Sequence, residues 1–133
     1  MSDQEFQLPI RVYIEDTDAQ GIVYYVNYLK YMERARSEWL RQHGFENPAF
    51  LGENLILVVH SLSINYRKPA FLFDDLCATA TGAEHGYAYF LVEQTVRRGD
   101  ELLCTCDVKV ACADRRTMKP VAIPAELIDK VYN

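Results

Sequence analysis

The stretch from Ile14 to Gly44 constrains this chain more than any other. An acidic turn, Glu15-Asp16-Thr17-Asp18, leads to Gly21, and Gly21 leads into a long amphipathic segment. Tyr24, Tyr28, Met32, Ala35 and Trp39 recur at the helical period, with Tyr25, Leu29 and Leu40 beside them. Lys30, Glu33, Arg34, Ser37 and Arg41 fill the opposite face. Gly44 stands where a helix stops on a left-handed residue. The spacing predicts a helix of about 20 residues, roughly 30 Å long, with its amino end just beyond Asp18.

Strand patterns surround that helix. Leu8–Ile14 alternates, with Ile10, Val12 and Ile14 on one side and Arg11, Tyr13 and Glu15 on the other. Phe45–Asn54 reads as a connecting loop. Leu55–Arg67 then sets Ile56, Val58, His60, Leu62, Ile64 and Tyr66 on one face. Asp75–Thr81, Tyr87–Arg97 and Glu101–Cys112 follow, the last with Leu102, Cys104, Cys106, Val108 and Val110 turned inward. The glycine-bearing connections at Gly86 and Gly99 are hairpin loops, so these strands pair antiparallel. Pro124–Val131 suits a short closing helix with proline in its first turn. One long helix before four or more antiparallel strands is an α+β layer, in which the helix buries its stripe against a sheet that curls around it. The other sheet face, with Tyr66, Tyr87 and Tyr89, calls for a second subunit.

At 133 residues the chain is read as one domain, residues 1–133. A net charge of −5 argues against wholesale binding of nucleic acid or anionic lipid. Met1–Gln7 is short, polar and acidic, unlike a signal peptide, and no apolar run reaches bilayer length. A cytoplasmic protein is expected. Cys104, Cys106 and Cys112 share one strand parity and are expected as small buried hydrophobes, since alternate strand residues sit nearly 7 Å apart and do not form an ordinary disulfide.

Several kinds of chemistry have no residues to carry them. There is no nucleophile elbow, zinc helix, phosphate-binding lysine loop or dinucleotide fingerprint. His60 reads as a hydrogen-bonded core residue, His85 as a solvated turn residue, and His43 as a cation suited to a helix carboxyl end. A carboxylate is therefore the best candidate to start a reaction, and Asp18 is that candidate. Backbone N–H groups at a helix amino terminus stabilise an oxyanion without a special side chain. Gly21, Ile22, Val23, Tyr24 and Tyr25 are expected to supply them. A plainer role also fits: Asp16 and Asp18 simply favouring the positive end of the helix dipole. A metal-binding pair of aspartates lacks further ligands at a recognisable spacing, so neither metal nor cofactor is expected.

The block Asp16-Thr17-Asp18-Ala19, Gly21-Ile22-Val23-Tyr24, Asn27-Tyr28-Leu29, Tyr31, Glu33 and Ala35-Arg36 resembles the signature of the hot-dog-fold acyl-CoA thioesterases. The nearest branches are the 4-hydroxybenzoyl-CoA thioesterase family and its Tol–Pal-cluster relatives. Tyr66-Arg67-Lys68-Pro69-Ala70 and Asp74-Asp75-Leu76 extend the likeness. The resemblance implies a long helix wrapped by a curved antiparallel sheet of about five strands, assembled as a homodimer or homotetramer with its active site at the subunit interface. It also implies an acyl-CoA substrate, Asp18 as nucleophile or general base, and the Tyr25 backbone N–H as donor to the thioester carbonyl. The Tol–Pal branch usually carries histidine where this chain has Tyr25, so the acyl group, aliphatic or aromatic, is open. Coenzyme A carries phosphates, and Arg67, Lys68, Arg115, Arg116 and Lys119 are the candidate contacts, the last three preferred. The rivals are a non-catalytic acyl-CoA or acyl-carrier-protein binding module on the same fold and a hydratase, which would pair the aspartate with a histidine that residues 1–42 lack.

Overall fold

A computed structural model of the chain describes residues 5–45, 47 and 54–132. Their elements run β1 (Phe6–Arg11), a single 3-10 turn (Ile14–Asp16), α1 (Asn27–Gln42), β2 (Leu55–Tyr66), β3 (Asp75–His85), β4 (Tyr89–Arg98), β5 (Glu101–Asp114) and α2 (Ala125–Tyr132). The strands form one five-stranded sheet in the order β1-β3-β4-β5-β2, and every pairing is antiparallel. The α+β architecture expected from the sequence is present. The loop expected over Phe45–Asn54 falls for the most part outside the described residues.

Helix α1 lies across β1, β3 and β4. Tyr28, Met32, Ala35 and Trp39, the predicted stripe, are all buried, and Tyr31 and Leu40 join them. Trp39 meets Phe90 of β4 with ring centroids 6.4 Å apart. The buried Gln94 amide donates to the Met32 carbonyl at 2.9 Å and to the Thr79 carbonyl at 3.0 Å, so it straps the middle of the helix to the sheet. The helix ends as expected on Gly44, whose φ of 97° is costly for any residue with a Cβ.

Helix α1 is shorter than the sequence suggests. It spans 16 residues and starts at Asn27. Tyr24 and Tyr25 keep the helical spacing but lie ahead of it, because the preceding backbone is committed elsewhere. Thr17 bridges Val23, Ile22 bridges Phe71, and Tyr24 donates its N–H to the Asp16 carbonyl at 2.8 Å. Ile14, expected inward beside Ile10 and Val12, enters the 3-10 turn and is exposed, whereas Ile10 and Val12 are buried.

Two bulges displace the expected alternation. In β2 the pairing with β5 shifts between Val59 and Ser61. Leu57 and Val59 pair with inward residues of β5 before the shift, and Leu62, Ile64 and Tyr66 do so after it. Ile56 and Val58 therefore turn the other way, and His60 is exposed rather than a core residue. A single parity cannot survive one extra residue in a strand. In β5 a second shift against β4 makes Leu103, not Leu102, the fully buried residue. Cys104, Cys106 and Cys112 are buried, unpaired thiols, as expected. Tyr66 shares the helix-side face with Cys104, so it does not join Tyr87 and Tyr89 on the outer surface.

Candidate active site

The segment between β1 and α1 folds into a small loop closed by its own backbone. Asp18 donates its N–H to the Ile22 carbonyl at 2.9 Å, and Gly21 donates back to the Asp18 carbonyl at 3.0 Å. Gly21 makes this turn at a φ of 82°. Three of the five expected N–H groups are thereby used, since Gly21, Val23 and Tyr24 donate to the carbonyls of Asp18, Ala70 and Asp16. The Tyr25 N–H donates to no group among the described residues. A helix leaves its first N–H groups without internal partners, and Tyr25 lies just ahead of that end.

The two aspartates separate into different roles. Asp16 is buried, and its carboxylate accepts from the Tyr13 N–H at 2.9 Å and the Asn27 side-chain amide at 2.8 Å. It ties the turn to the first residue of α1. The neighbouring Tyr31 hydroxyl is buried beside this carboxylate, and burial together with Asp16 pushes its pKa up. Asp18 is partly exposed and makes no bond to the helix. Its Oδ1 accepts from the Gln20 N–H at 2.8 Å, and Oδ2 accepts none among the described residues. One carboxylate is a strut and the other presents a free oxygen.

A groove of about 320 Å³ opens beside this loop, walled by Ile22, Val23, Tyr25, Tyr28, Tyr66 and Pro69 with Arg67 and Lys68. Asp18 is not part of the wall; it sits on the loop whose returning arm, Ile22 and Val23, forms one side. Tyr66 meets Tyr28 edge-on at 5.5 Å and Tyr25 at 6.1 Å, and its hydroxyl donates to the Tyr25 carbonyl at 2.9 Å. The Tyr28 hydroxyl accepts from the Ala70 N–H at 3.0 Å. Another hollow, about 250 Å³, lies between α1 and β2 with Glu33 and Arg36 near Leu57 and Val59. Its helical residues are mid-helix, where backbone N–H groups are already consumed, so it offers no backbone oxyanion donor.

The candidate cations divide likewise. Arg67 and Lys68 border the groove. Lys68 is paired with Glu101 at 3.1 Å, whereas Arg67 has no ion-pair partner among the described residues. Arg115, Arg116 and Lys119 follow β5 at its far end, around a turn in which Asp114 accepts the Arg116 and Thr117 N–H groups. Tyr66 pairs with Cys104 and Leu55 with Asp114, so ten residues of β5, roughly 33 Å, separate that turn from the groove. One chain does not bring the two clusters together. Among the described residues no three histidine, cysteine, aspartate or glutamate side chains converge as metal ligands.

The model of the thioesterase-like superfamily matches residues 12–131. This chain belongs to that superfamily. Among the thioesterase-like proteins, the acyl-CoA thioesterase YbgC of Haemophilus influenzae is 44% identical over 128 residues, covering 96% of this chain and 94% of that protein. The acyl-CoA thioester hydrolase YbgC of Escherichia coli O157:H7 is 37% identical over 129 residues, covering 96% of each. A probable thioesterase from Bartonella henselae superposes with a TM-score of 0.79 at 34% identity, over 90% of this chain and 98% of that one. The hot-dog architecture expected from the sequence is thus the fold of this thioesterase-like chain.

Asp16, Asn27, Tyr28 and Tyr66 lie in the blocks that carry the family resemblance, but sequence reasoning gave none of them a place in the site. A signal existed for the first two: an acid eleven positions before an asparagine, on either side of the glycine turn. For Tyr66 the only signal was its place at the head of the Tyr66–Ala70 block, because its distance in sequence from the helix hides their contact.

Proposed function

We propose that this protein is an acyl-CoA thioester hydrolase in which Asp18 starts the reaction and the Tyr25 backbone N–H receives the developing oxyanion. The observation that carries this reading is the pairing of a carboxylate with one free oxygen and an unused backbone donor on the same short loop, beside an apolar groove. The naming of the YbgC relatives supports the substrate class. Hydrolysis of a thioester needs an attacking group, a stabilised oxyanion and little acid assistance, because a thiol leaves readily with a pKa near 8.5. Asp18 either attacks the carbonyl carbon, giving a mixed anhydride that water then opens, or takes a proton from the attacking water. Both routes end in free acid and coenzyme A.

Arg67 at the groove is the cation best sited for the coenzyme A phosphates of the same chain. Arg115, Arg116 and Lys119 serve that purpose only from a second copy. We propose a homodimer or homotetramer for that reason and because β2 is an edge strand with exposed Val59 and Leu62.

Turnover of a panel of aliphatic and aromatic acyl-CoA esters, followed with a thiol-trapping dye, tests the reading. Thiol release from at least one ester, lost on Asp18→Asn, is the expected result. Tight binding of acyl-CoA with no release would replace it with the binding-module reading.

A further inference from the structure

Tyr25 occupies a backbone position that needs outside support. Its N–H shares a peptide plane with the Tyr24 carbonyl, which accepts from the Asn27 N–H at 2.8 Å. In a trans peptide the carbonyl and the following N–H point in opposite directions. The bond to Asn27 therefore turns the Tyr25 N–H away from the helix, and fixes one of the two planes that meet at Tyr25.

The second plane, Tyr25 carbonyl to Val26 N–H, has no such anchor within the helix. A regular helical turn would give that carbonyl the Leu29 N–H, four residues on. Leu29 instead donates to Val26, three residues back, at 3.0 Å. The group that takes the Tyr25 carbonyl is the Tyr66 hydroxyl, at 2.9 Å from the end of β2. Tyr66 can do so because Tyr28 and Tyr25 hold its ring edge-on, at 5.5 and 6.1 Å. Burial, with the thiols of Cys104 and Cys106, pushes its pKa above that of an ordinary phenol, so the hydroxyl keeps its proton and donates.

We propose that Tyr66 is a positioning residue for thioester hydrolysis: its hydroxyl holds the Tyr25 carbonyl out of the helical ladder and so secures, together with the Asn27 bond, the direction of the Tyr25 N–H toward the substrate oxygen. This rests on the donor role given to Tyr25 above. Without the hydroxyl, the Tyr25 carbonyl is free to take the Leu29 N–H, the helix winds back by one residue, and the Tyr25 torsions change. Oxyanion donors act through geometry, and displacements of 1 Å can cost on the order of 100-fold in rate. A partial rotation held by the remaining Asn27 bond should cost about tenfold.

Tyr66→Phe removes the hydroxyl and keeps the ring. The expected result is a kcat about tenfold lower with KM changed less than about twofold, at an unchanged unfolding midpoint. The Tyr25 carbonyl carbon resonance should move in the same variant, which needs no turnover to observe. A wild-type kcat overturns the proposal, as does a raised KM at normal kcat, which would make Tyr66 a wall of the binding groove. An unmoved carbonyl resonance overturns it too. Asp18→Asn is run alongside. Near-normal turnover there, with the Tyr66→Phe loss intact, faults the aspartate assignment and leaves the positioning role standing.

Discussion

The Asp16 carboxylate meets the Asn27 side-chain amide at 2.8 Å, in a buried contact between the acidic turn and the first residue of α1. The same carboxylate accepts the Tyr13 N–H, so one side chain fastens the end of the 3-10 turn to the start of the helix. Replacing Asp16 by Asn removes a charge-assisted pair and sets two amides against each other. A loss of about 1–3 kcal/mol of stability is expected, the cost of leaving buried polar groups badly matched. Urea unfolding of Asp16→Asn at neutral pH measures it.

Asp18 should behave in the opposite way. It is partly exposed and bonded only to the Gln20 N–H, so Asp18→Asn should leave the unfolding midpoint nearly unchanged. Its kcat should fall by on the order of 100-fold or more, the scale of general-base catalysis, with KM little altered. Steady-state kinetics on the best acyl-CoA ester, beside the Asp16 variant, checks the separation. Equal kinetic losses in the two variants would assign Asp18 to the scaffold.

Arg67→Gln should raise KM for acyl-CoA more than it lowers kcat, because phosphates remote from the carbonyl bind equally in ground and transition states. The effect should shrink as salt rises. Neutralising Arg115, Arg116 and Lys119 together should raise KM only in an assembly that brings them to a neighbour's groove. Measuring KM alongside the sedimentation state of each variant distinguishes the two clusters.

The buried thiols give the protein an alkaline weakness. Burial pushes Cys104 up to about 12 and Cys106 up to about 11. An unfolded thiol titrates near 8.5. The folded chain holds these protons longer than the unfolded one, so this contribution is complete below about pH 8.5 and is lost as pH rises toward 11 and 12. Cys104→Ala should be less stable at pH 8, through its cavity, yet lose about 3 kcal/mol less than the parent between pH 8 and 11. Urea unfolding at the two pH values tests this.

What the sequence made legible follows from how far each signal reaches. The stripe Tyr28, Met32, Ala35 and Trp39 is local and periodic, and it located α1 and its buried face. Gly44 marked the helix end because a left-handed residue has few alternatives. The start of α1 was less legible: Tyr24 and Tyr25 continue the period, but bonds from distant Ala70 and nearby Asp16 hold the backbone out of the helix. Composition could not show that Asp16 would be buried and Asp18 left with a free oxygen. The cations at 67–68 and 115–119 look alike in a sequence, and only strand register reveals that they occupy opposite ends of the sheet.

The irregularity in β2 acts as a phase shifter. Before it, odd-numbered residues look toward the helix; after it, even-numbered ones do. Deleting His60, an exposed residue in no described contact beyond its neighbour Ser61, would remove the extra residue and restore an uninterrupted alternation, with Leu62, Ile64 and Tyr66 still turned toward the helix. With the register up to Val59 held, the tyrosine at the strand's end would keep its pairing with Cys104 and its reach to the Tyr25 carbonyl. The strand can thus lose a residue at its bulge without refurnishing the groove, whereas a one-residue gap beyond it, between Leu62 and Ile64, would turn the last tyrosine to the outer face.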